Sequence, residues 1–459
     1  MKTVDAAVIG GGILGCFAAR NLRRWHIRTM LLEAEPDVCT GITRANAAIV
    51  YAGYDNRVGS KKAAMTLAGN AGFQRLCGEL EVPFSRCGSL MVSFTPEGDL
   101  ALRKKYRAGT ENQVPRLELL SGREAQAMEP MLSDGVSLAL HAPSTGTVNP
   151  WQLGIAAYEN AAANGCETRL SSPVRDIQRV SGGYVLQTDR EEIFCRMVIN
   201  CAGAAADRVQ ELVFPPSVRL FFDAADFLVL DRRTRKPGRI IFHQAAEHGK
   251  GITAIPTVEG NLLLGPTRRP FVGLPYGTTA EGLAFAREDA LRILPELELD
   301  LTIRSFGALR ANPHRVILQD GAYVPDGSSI GSFVIERPAP DFVSLIGIKT
   351  PGITCADELG RHLAQTAAAY LGAEPNPGFD PRRPAIPRRK DTPDHHEIIC
   401  RCEHITRGEI LEAIARGAVT VDGVKRRVGS GMGRCQGSHC GWEIAKILKQ
   451  SGINPDPLF

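Results

Sequence analysis

The chain has 459 residues, which is too long for a single hydrophobic core and predicts two or three domains. Its residues are 44% hydrophobic and 23% charged, an ordinary globular composition, and a net charge of +4 gives no argument for nucleic-acid binding. No run of about 18 apolar residues occurs, so the sequence predicts no membrane-spanning helix.

The first sixty residues have the pattern of a nucleotide-binding strand–turn–helix unit. Two short apolar strands, at residues 4–9 and 27–32, flank a stretch with helical apolar spacing at residues 13–22. Glycines in the turn and helix serve a tight turn, close approach to a pyrophosphate and close helix–strand packing. The helix N-terminus then offers free N–H groups to phosphate, and Glu33 after the second strand is placed to bind ribose hydroxyls. The three glycines are Gly10, Gly12 and Gly15.

Three later segments favour FAD over NAD as the bound dinucleotide. Residues 39–55 are small, polar and glycine-containing, which lets the chain run close to a flat ring. An apolar strand precedes Cys201-Ala202-Gly203, and residues 341–364 read as strand, Gly/Pro turn and helix. The amides at the start of that helix would face the pyrimidine edge of a flavin, where charge accumulates on reduction. These distant segments together predict one long ligand wrapped by the fold.

On these motifs residues 3–372 resemble the D-amino-acid-oxidase-like flavoprotein superfamily, in particular its glycerol-3-phosphate dehydrogenase and L-2-hydroxyglutarate oxidase branches. The stretches that carry the resemblance include TRANAAIVYAGYD, INCAG, GNLLLGPT, FGALR and GIKTPGIT. Relatives often carry histidine where Tyr51 stands here, so a role that depends on that histidine is not carried over. The resemblance implies FAD contacts at Gly10, Gly12, Gly15, Glu33, Thr43, Arg44, Asn46, Val174, Ala202, Gly203, Gly347, Ile348, Gly352, Ile353 and Thr354.

The resemblance also implies an α/β fold with a Rossmann-like FAD-binding domain and an inserted, sheet-rich substrate domain that covers the flavin. The FAD-binding domain is predicted in three pieces and the substrate domain in two. The predicted pieces are residues 1–85, 141–211 and 319–374 for the FAD-binding domain and residues 86–140 and 212–318 for the substrate domain.

Three residues are candidates for substrate chemistry. Arg310 resembles the substrate-anchoring arginine of the family, and a guanidinium suits a carboxylate or phosphate because it donates two parallel hydrogen bonds. Lys349 stands between flavin-contacting glycines, where glycerol-3-phosphate dehydrogenases also often carry lysine. His243 is the candidate base that takes the hydroxyl proton when hydride leaves for flavin N5, and the alternative is a structural histidine in the sheet. Arg44, His243 and Lys250 are each predicted either to add positive charge or to lie solvated on the surface.

The last four of the 12 cysteines are grouped, whereas the first eight are scattered singly and predict buried apolar side chains in a reducing compartment. A Pro- and Arg-rich stretch at residues 375–396 reads as a stiff linker. Residues 397–455 beyond it are predicted to contain two helices, at about 406–416 and 441–450. The C-x-C and C-x4-C pairs suit a cluster or a metal ion, with zinc as the alternative, and the ligands would be Cys400, Cys402, Cys435 and Cys440.

This tail resembles bacterioferritin-associated-ferredoxin-type domains, which implies a small helical 2Fe–2S domain. A flavin beside a one-electron cluster favours a dehydrogenase over an oxidase, since an oxidase returns electrons to oxygen without a cluster. The predicted activity is oxidation of a small anionic hydroxy compound, with glycerol 3-phosphate first. The alternatives are an amino- or imino-acid dehydrogenase, or an electron-transfer subunit. The predicted partner is a flavoprotein or quinone-linked subunit, and the predicted location is cytoplasmic, with membrane association through that partner.

Overall fold

The computed structural model describes residues 1–245, 251–271, 273, 277–384 and 392–454. Two large sheets dominate the described chain, each covered by helices, and a small helical unit follows at the C-terminal end. The predicted fold class is confirmed. The α-helices are Ile13–Leu22, Lys61–Glu79, Pro96–Glu111, Gly122–Met128, Pro150–Ala163, Ala206–Glu211, Ala280–Ile293, Ala356–Leu371, Arg407–Ala415, Val421–Val428 and Cys440–Gln450.

The first sheet has a parallel centre built around the N-terminal strand Lys2–Ile9. That strand pairs in parallel with Thr29–Leu32 on one side and Glu192–Asn200 on the other. Its residues from Val4 onward are almost all buried, because helices lie over the sheet. The eight strands of this sheet within the described residues are Lys2–Ile9, Thr29–Leu32, Glu167–Arg169, Val174–Val180, Gly183–Thr188, Glu192–Asn200, Val334–Ala339 and Phe342–Ile346.

Helix Ile13–Leu22 is the central helix on this sheet and begins directly after the glycine turn. It packs between helices Pro150–Ala163 and Ala356–Leu371, and nine of its ten residues are buried. The buried Arg20 on it is paired with Glu79 and Asp357. The helix N-terminus is thereby held rigidly at the carboxyl edge of the parallel strands, where dinucleotides bind in folds of this class.

The second sheet lies across the first and is largely antiparallel. Its centre is a long pair, Val218–Leu230 against Thr302–Gln319, in register from Val218 opposite Arg315 to Leu230 opposite Thr302. Helix Ala280–Ile293 covers one face, and the other face looks toward the first sheet. The ten strands within the described residues are Ser89–Ser93, Glu118–Ser121, Leu138–Ala142, Val218–Leu230, Ile240–His243, Thr253–Pro256, Leu262–Gly265, Arg269–Pro270, Thr302–Gln319 and Ala322–Pro325.

The predicted domain boundaries cross elements of this second sheet. The boundary at 140 falls inside strand Leu138–Ala142, and the boundary at 318 falls inside strand Thr302–Gln319. A strand belongs to the sheet with which it hydrogen-bonds, so the sheet extends a few residues beyond both limits. Short strands in a separate three-stranded sheet connect the layers, and these are Ile49–Val50, Phe84–Ser85 and Gly146–Val148.

The first part of the predicted linker packs against the body of the protein. Asn160 donates hydrogen bonds to the carbonyl oxygens of Asp380 and Arg382, and Arg383 forms a buried ion pair with Glu159 at 2.7 Å. Residues 375–384 are therefore docked along helix Pro150–Ala163 rather than spacing two units apart. Residues 385–391 of the predicted linker lie outside the described residues.

The C-terminal unit contains three described helices, one more than predicted. Arg407–Ala415 and Cys440–Gln450 match the predicted pair, and strands Ile398–Cys400 and Ile405–Thr406 form a small hairpin. The additional helix, Val421–Val428, begins at Thr420, whose side chain accepts from the Gly423 N–H, and ends at Gly429 in the left-handed region. This helix was not predicted, because its three consecutive basic residues, Lys425, Arg426 and Arg427, interrupt the apolar spacing from which helices were predicted.

Candidate functional site

A cavity of about 1490 Å³ lies between the two sheets. It runs from the glycine turn and Glu33 at one end to Arg310 and Lys349 at the other. Pockets for drug-sized ligands reach only about 1,000 Å³. The cavity therefore has room for a dinucleotide and a small second molecule.

The glycine turn is built so that only glycine fits at two of its positions. Gly10 has a φ of +102°, and a Cβ there would lie 2.5 Å from the carbonyl oxygen of Cys201. A Cβ on Gly15 would lie 1.8 Å from the carbonyl oxygen of Gly10. Gly12 caps the helix from the cavity side and leaves its N-terminal end open to a phosphate.

Glu33 lies beside this turn, at the end of the second parallel strand. Its Oε2 accepts from the Gly11 N–H at 2.5 Å, and its Oε1 accepts from the Glu35 N–H at 2.9 Å. Burial raises the pKa of Glu33 despite these hydrogen bonds. The carboxylate lines the cavity, as a ribose-binding acid requires.

The structure brings most of the predicted FAD contacts to the cavity wall. Thr43 links the wall to the central helix, since its Oγ1 accepts from the Ile13 N–H at 3.1 Å. Gly347 has a φ of +64°, and a Cβ there would lie 2.7 Å from Pro313, so this position of the wall requires glycine. The predicted contacts that line the cavity are Gly10, Gly12, Glu33, Thr43, Asn46, Ala202, Gly203, Gly347, Ile348, Gly352 and Ile353.

Four predicted contacts lie behind this wall. Gly15 serves helix packing, and Val174 packs in the core of the first sheet. The carbonyl oxygen of Arg44 accepts from the Trp151 indole, and the Thr354 hydroxyl accepts from the N–H of Tyr51, a residue that does line the cavity. These four residues are therefore not among those that line the cavity.

Positive charge collects at the far end of the cavity. Of the cavity's basic side chains, three have acidic partners: Arg268 with Asp223 at 3.2 Å, Arg269 with Asp226 at 3.1 Å, and Lys105 with Asp55. Arg310 and Lys349 make no ion pair within the described residues, and Lys349 donates to Asn312 and Ser329. Burial and the neighbouring charges of Arg310 and Lys62 lower the pKa of Lys349 to about 8.

Two cations that form no ion pair with any described residue give this part of the cavity a positive charge. The approach of a carboxylate or phosphate would offset the repulsion that lowers the pKa of Lys349. Asp223, Asp226 and Arg269 were not predicted as site residues, because none of them belongs to a recognisable sequence motif. Strand alternation is the only signal they carry. Lys250, also weighed for this end, lies outside the described residues.

His243 is a correction to the predicted site. In strand Ile240–His243 successive side chains point to opposite faces, so Phe242 lines the cavity while His243 points away from it. Its Nδ1 lies 2.8 Å from Asp289 on the covering helix, and its ring packs edge-on against Phe94. His243 holds that helix to the sheet, and its position does not support a role as base.

The four C-terminal cysteines come together in two pairs. The side chain of Cys402 interacts with that of Cys435, and Cys400 interacts with Cys440 at the start of helix Cys440–Gln450. Burial raises the pKa of Cys440 to about 12. For Cys435, burial opposes ionisation, but hydrogen bonds from the Gly437 and His439 N–H groups lower the pKa overall.

This paired arrangement suits a two-iron cluster. Each iron of a 2Fe–2S cluster takes two protein ligands. No group of three His, Cys, Asp or Glu side chains with the geometry to hold one metal ion was found among the described residues. Gly433 is also needed here, because a Cβ on it would lie 2.4 Å from the Cys402 Cβ. His404 and His439 are exposed beside the cysteines.

No described helix is both long and apolar enough to cross a membrane.

Comparison with known proteins identifies one family for the two-sheet part of the chain and another for its C-terminal part. Residues 5–366 match the family described as FAD dependent oxidoreductase, and residues 398–450 match the BFD-like [2Fe-2S] binding domain. The chain is 37% identical over 465 residues to the glycerol 3-phosphate dehydrogenase of Caloramator mitchellensis, covering 97% of this chain and 93% of that protein. It is 24% identical to the anaerobic glycerol-3-phosphate dehydrogenase subunit A1 of Haloferax volcanii, covering 97% of this chain and 83% of the relative.

A solved structure shares the fold. The dithionite-reduced L-alpha-glycerophosphate oxidase of Mycoplasma pneumoniae, with FAD bound, superposes with a TM-score of 0.74 at 22% identity. The match covers 84% of this chain and 100% of that one. The chain therefore belongs to the FAD-dependent oxidoreductases and carries a C-terminal 2Fe–2S-binding domain, with FAD and a 2Fe–2S cluster as its cofactors.

Proposed function

We propose that this protein oxidises glycerol 3-phosphate and passes the electrons through its 2Fe–2S cluster to a partner protein. The observation that carries the substrate proposal is a pair of cations, Arg310 and Lys349, at the far end of the FAD cavity. Neither forms an ion pair with an acidic side chain in the described part of the chain. A phosphate monoester brings up to two negative charges to that place. The Caloramator mitchellensis relative, which matches nearly the whole chain, is a glycerol 3-phosphate dehydrogenase, and this agrees with the proposed substrate.

Bound FAD would supply a two-electron acceptor, which takes both electrons together as one hydride. The role proposed for the chain is to position the carbinol carbon at the flavin. Arg310 and Lys349 hold the anionic group, and the second sheet covers the cavity and excludes water. Gly347 and Gly352 both line the cavity, so the turn at residues 347–352 would let the backbone approach the flavin ring.

The position of the cysteine-bearing domain supports onward electron transfer. Its contacts with the second sheet lie at the end of the long strand pair: Arg304 donates to Gln436, Arg434 lies 3.6 Å from Asp231, and Arg232 pairs with Glu403. Arg304 and Arg310 lie on one strand, six residues and therefore about 20 Å apart. The same two strands thus support the substrate end of the cavity and the cluster domain.

A separate protein is proposed to accept the electrons. The Haloferax volcanii relative is named as one subunit of an anaerobic dehydrogenase, which favours a multi-subunit assembly here as well. We propose a flavoprotein or quinone-linked subunit as the acceptor, with this chain cytoplasmic and brought to a membrane only through that partner.

The test is anaerobic flavin reduction by defined substrates. Glycerol 3-phosphate should bleach the flavin, followed by the electron paramagnetic resonance signal of a reduced 2Fe–2S cluster. L-2-hydroxyglutarate and a panel of amino and imino acids are the comparison substrates. Faster bleaching by any of these would refute glycerol 3-phosphate as the substrate. Bleaching by a reduced protein partner alone would identify an electron-transfer subunit.

Electron export has its own readout, in which the anaerobic experiment is joined by a parallel reaction in air. If the flavin bleaches but the cluster stays oxidised while oxygen is consumed at the turnover rate in air, the protein is an oxidase. That result would overturn the electron-export proposal and leave the substrate assignment intact.

A further inference from the structure

A buried cluster of charges joins the 2Fe–2S domain to the FAD-binding domain. Both nitrogens of the Arg427 fork donate to Asp37, at 2.7 and 2.9 Å, and Arg426 donates to the same carboxylate at 2.8 Å. The Arg427 and Asp37 side chains are each 1% exposed, and that of Arg426 is 4% exposed. A two-pronged arginine–carboxylate contact of this kind fixes orientation as well as distance.

The contact is rigid on its C-terminal side. Arg426 and Arg427 lie on helix Val421–Val428, which is capped at both ends. Burial alone would raise the pKa of Asp37, but the two guanidinium groups hold it below its usual value. Removal of one partner would leave a buried charge uncompensated, which makes the contact sensitive to single substitutions.

Asp37 lies in the middle of the loop that closes the nucleotide end of the FAD cavity. Glu33, at the start of this loop, and Thr40, near its end, line the cavity on either side of Asp37. The loop is also tied to the glycine turn, because the Cys39 N–H donates to the carbonyl oxygen of Gly11 at 2.9 Å. A shift of Asp37 would therefore move both the ribose-binding segment and its support.

We propose that the 2Fe–2S domain is a structural part of the FAD site. Helix Val421–Val428, acting through Asp37, holds the loop at residues 33–41 in its closed position, so that FAD binding and domain docking stabilise each other. Asp37 is a positioning residue in this account. By thermodynamic linkage, whatever factor docking adds to FAD affinity, FAD adds to docking.

The first test compares Asp37→Asn with Asp422→Asn as the matched control. Asp422 pairs with Arg426 within the same helix at 2.7 Å, so its loss perturbs the helix without breaking the contact to the loop. Release of flavin fluorescence on dilution of the holoprotein gives the dissociation constant of FAD. We expect it to rise about tenfold in Asp37→Asn, within the usual range of coupling between sites, and to stay near the wild-type value in Asp422→Asn.

The second test reads the coupling in the opposite direction. Hydrogen exchange is followed in helix Val421–Val428 with and without excess FAD. FAD should slow this exchange in the wild-type protein and have little effect in Asp37→Asn, while cluster absorbance confirms that both proteins are loaded. Equal FAD affinity in Asp37→Asn and Asp422→Asn, or helix exchange that ignores FAD in the wild type, would overturn the proposal.

A milder variant decides the question if Asp37→Asn does not fold. Arg427→Lys keeps the positive charge and loses the two-pronged hydrogen bond. The proposal expects an FAD affinity below that of the wild type and faster exchange at residues 34–41. Wild-type values for both in Arg427→Lys would then refute the proposal.

Discussion

Replacement of Arg310 by alanine tests the proposed anion site most directly. The guanidinium is the only proposed substrate anchor able to donate two parallel hydrogen bonds, and it has no acidic partner within the described chain. A hydrogen bond to a charged group contributes about 1.5–3 kcal/mol, which corresponds to a change of about 10- to 150-fold in kcat/KM. Because Arg310 is exposed to solvent in the cavity, we expect the lower part of that range.

The same substitution has a second consequence at Lys349. Repulsion by Arg310 is one of the causes that lower the pKa of Lys349 to about 8. Without Arg310 this pKa should rise, so Lys349 stays charged to higher pH and the alkaline fall in substrate binding moves upward. A purely structural defect would lower activity without moving the pH profile.

The assay is steady-state oxidation of glycerol 3-phosphate from pH 6 to pH 10 with an artificial electron acceptor, together with flavin content. Arg315→Ala is the matched control, because Arg315 lies on the same strand and pairs with Glu336. Arg310→Ala should lose at least about tenfold in kcat/KM with full flavin content, while Arg315→Ala should not. An unchanged KM together with an unchanged pH profile would refute the anchoring role.

Further outcomes follow from the same geometry. In the wild type kcat/KM should fall as pH rises through about 8, because Lys349 is cationic only below its lowered pKa. The pH–rate profile of Lys349→Met should not show this fall. His243→Phe should keep kcat but lose about 1–3 kcal/mol of unfolding free energy in denaturant titration, and a tenfold loss of kcat would instead restore its candidacy as base. Gly15→Ala should purify without yellow colour, since its Cβ would lie 1.8 Å from a carbonyl oxygen, and retained FAD absorbance would contradict this. Cys435→Ser should retain substrate-driven flavin bleaching and lose the 2Fe–2S resonance signal, whereas an intact signal would exclude it as a ligand.

Local patterns in the sequence were sufficient for the two cofactor sites. The strand, glycine turn and helix around Gly10 depend on backbone geometry that only glycine permits, so the chain itself marks them. The residue type and spacing of the paired cysteines likewise predict an iron–sulfur cluster. The central helix Ile13–Leu22 was predicted at the bounds that the structure shows, because its start is set by the turn.

Tertiary structure alone decided which candidate side chains reach the cavity. His243 and Phe242 are neighbours in the sequence, yet strand alternation and the covering helix put them on opposite faces. Arg268 and Arg269 pair with Asp223 and Asp226 of the adjacent strand, whereas Arg310 forms no ion pair with any described residue. Such pairings depend on sheet register, which no local pattern encodes.

The sequence by itself determined the cofactor chemistry, because glycine conformations and thiolate spacing are properties of short segments. The tertiary structure decided how the two cofactor domains meet. The contact between Asp37 and Arg427 joins residues 390 positions apart, and nothing near either residue marks the other. Whether a carboxylate is solvated or buried against a guanidinium depends on packing between domains, and packing is settled only when the whole chain is folded.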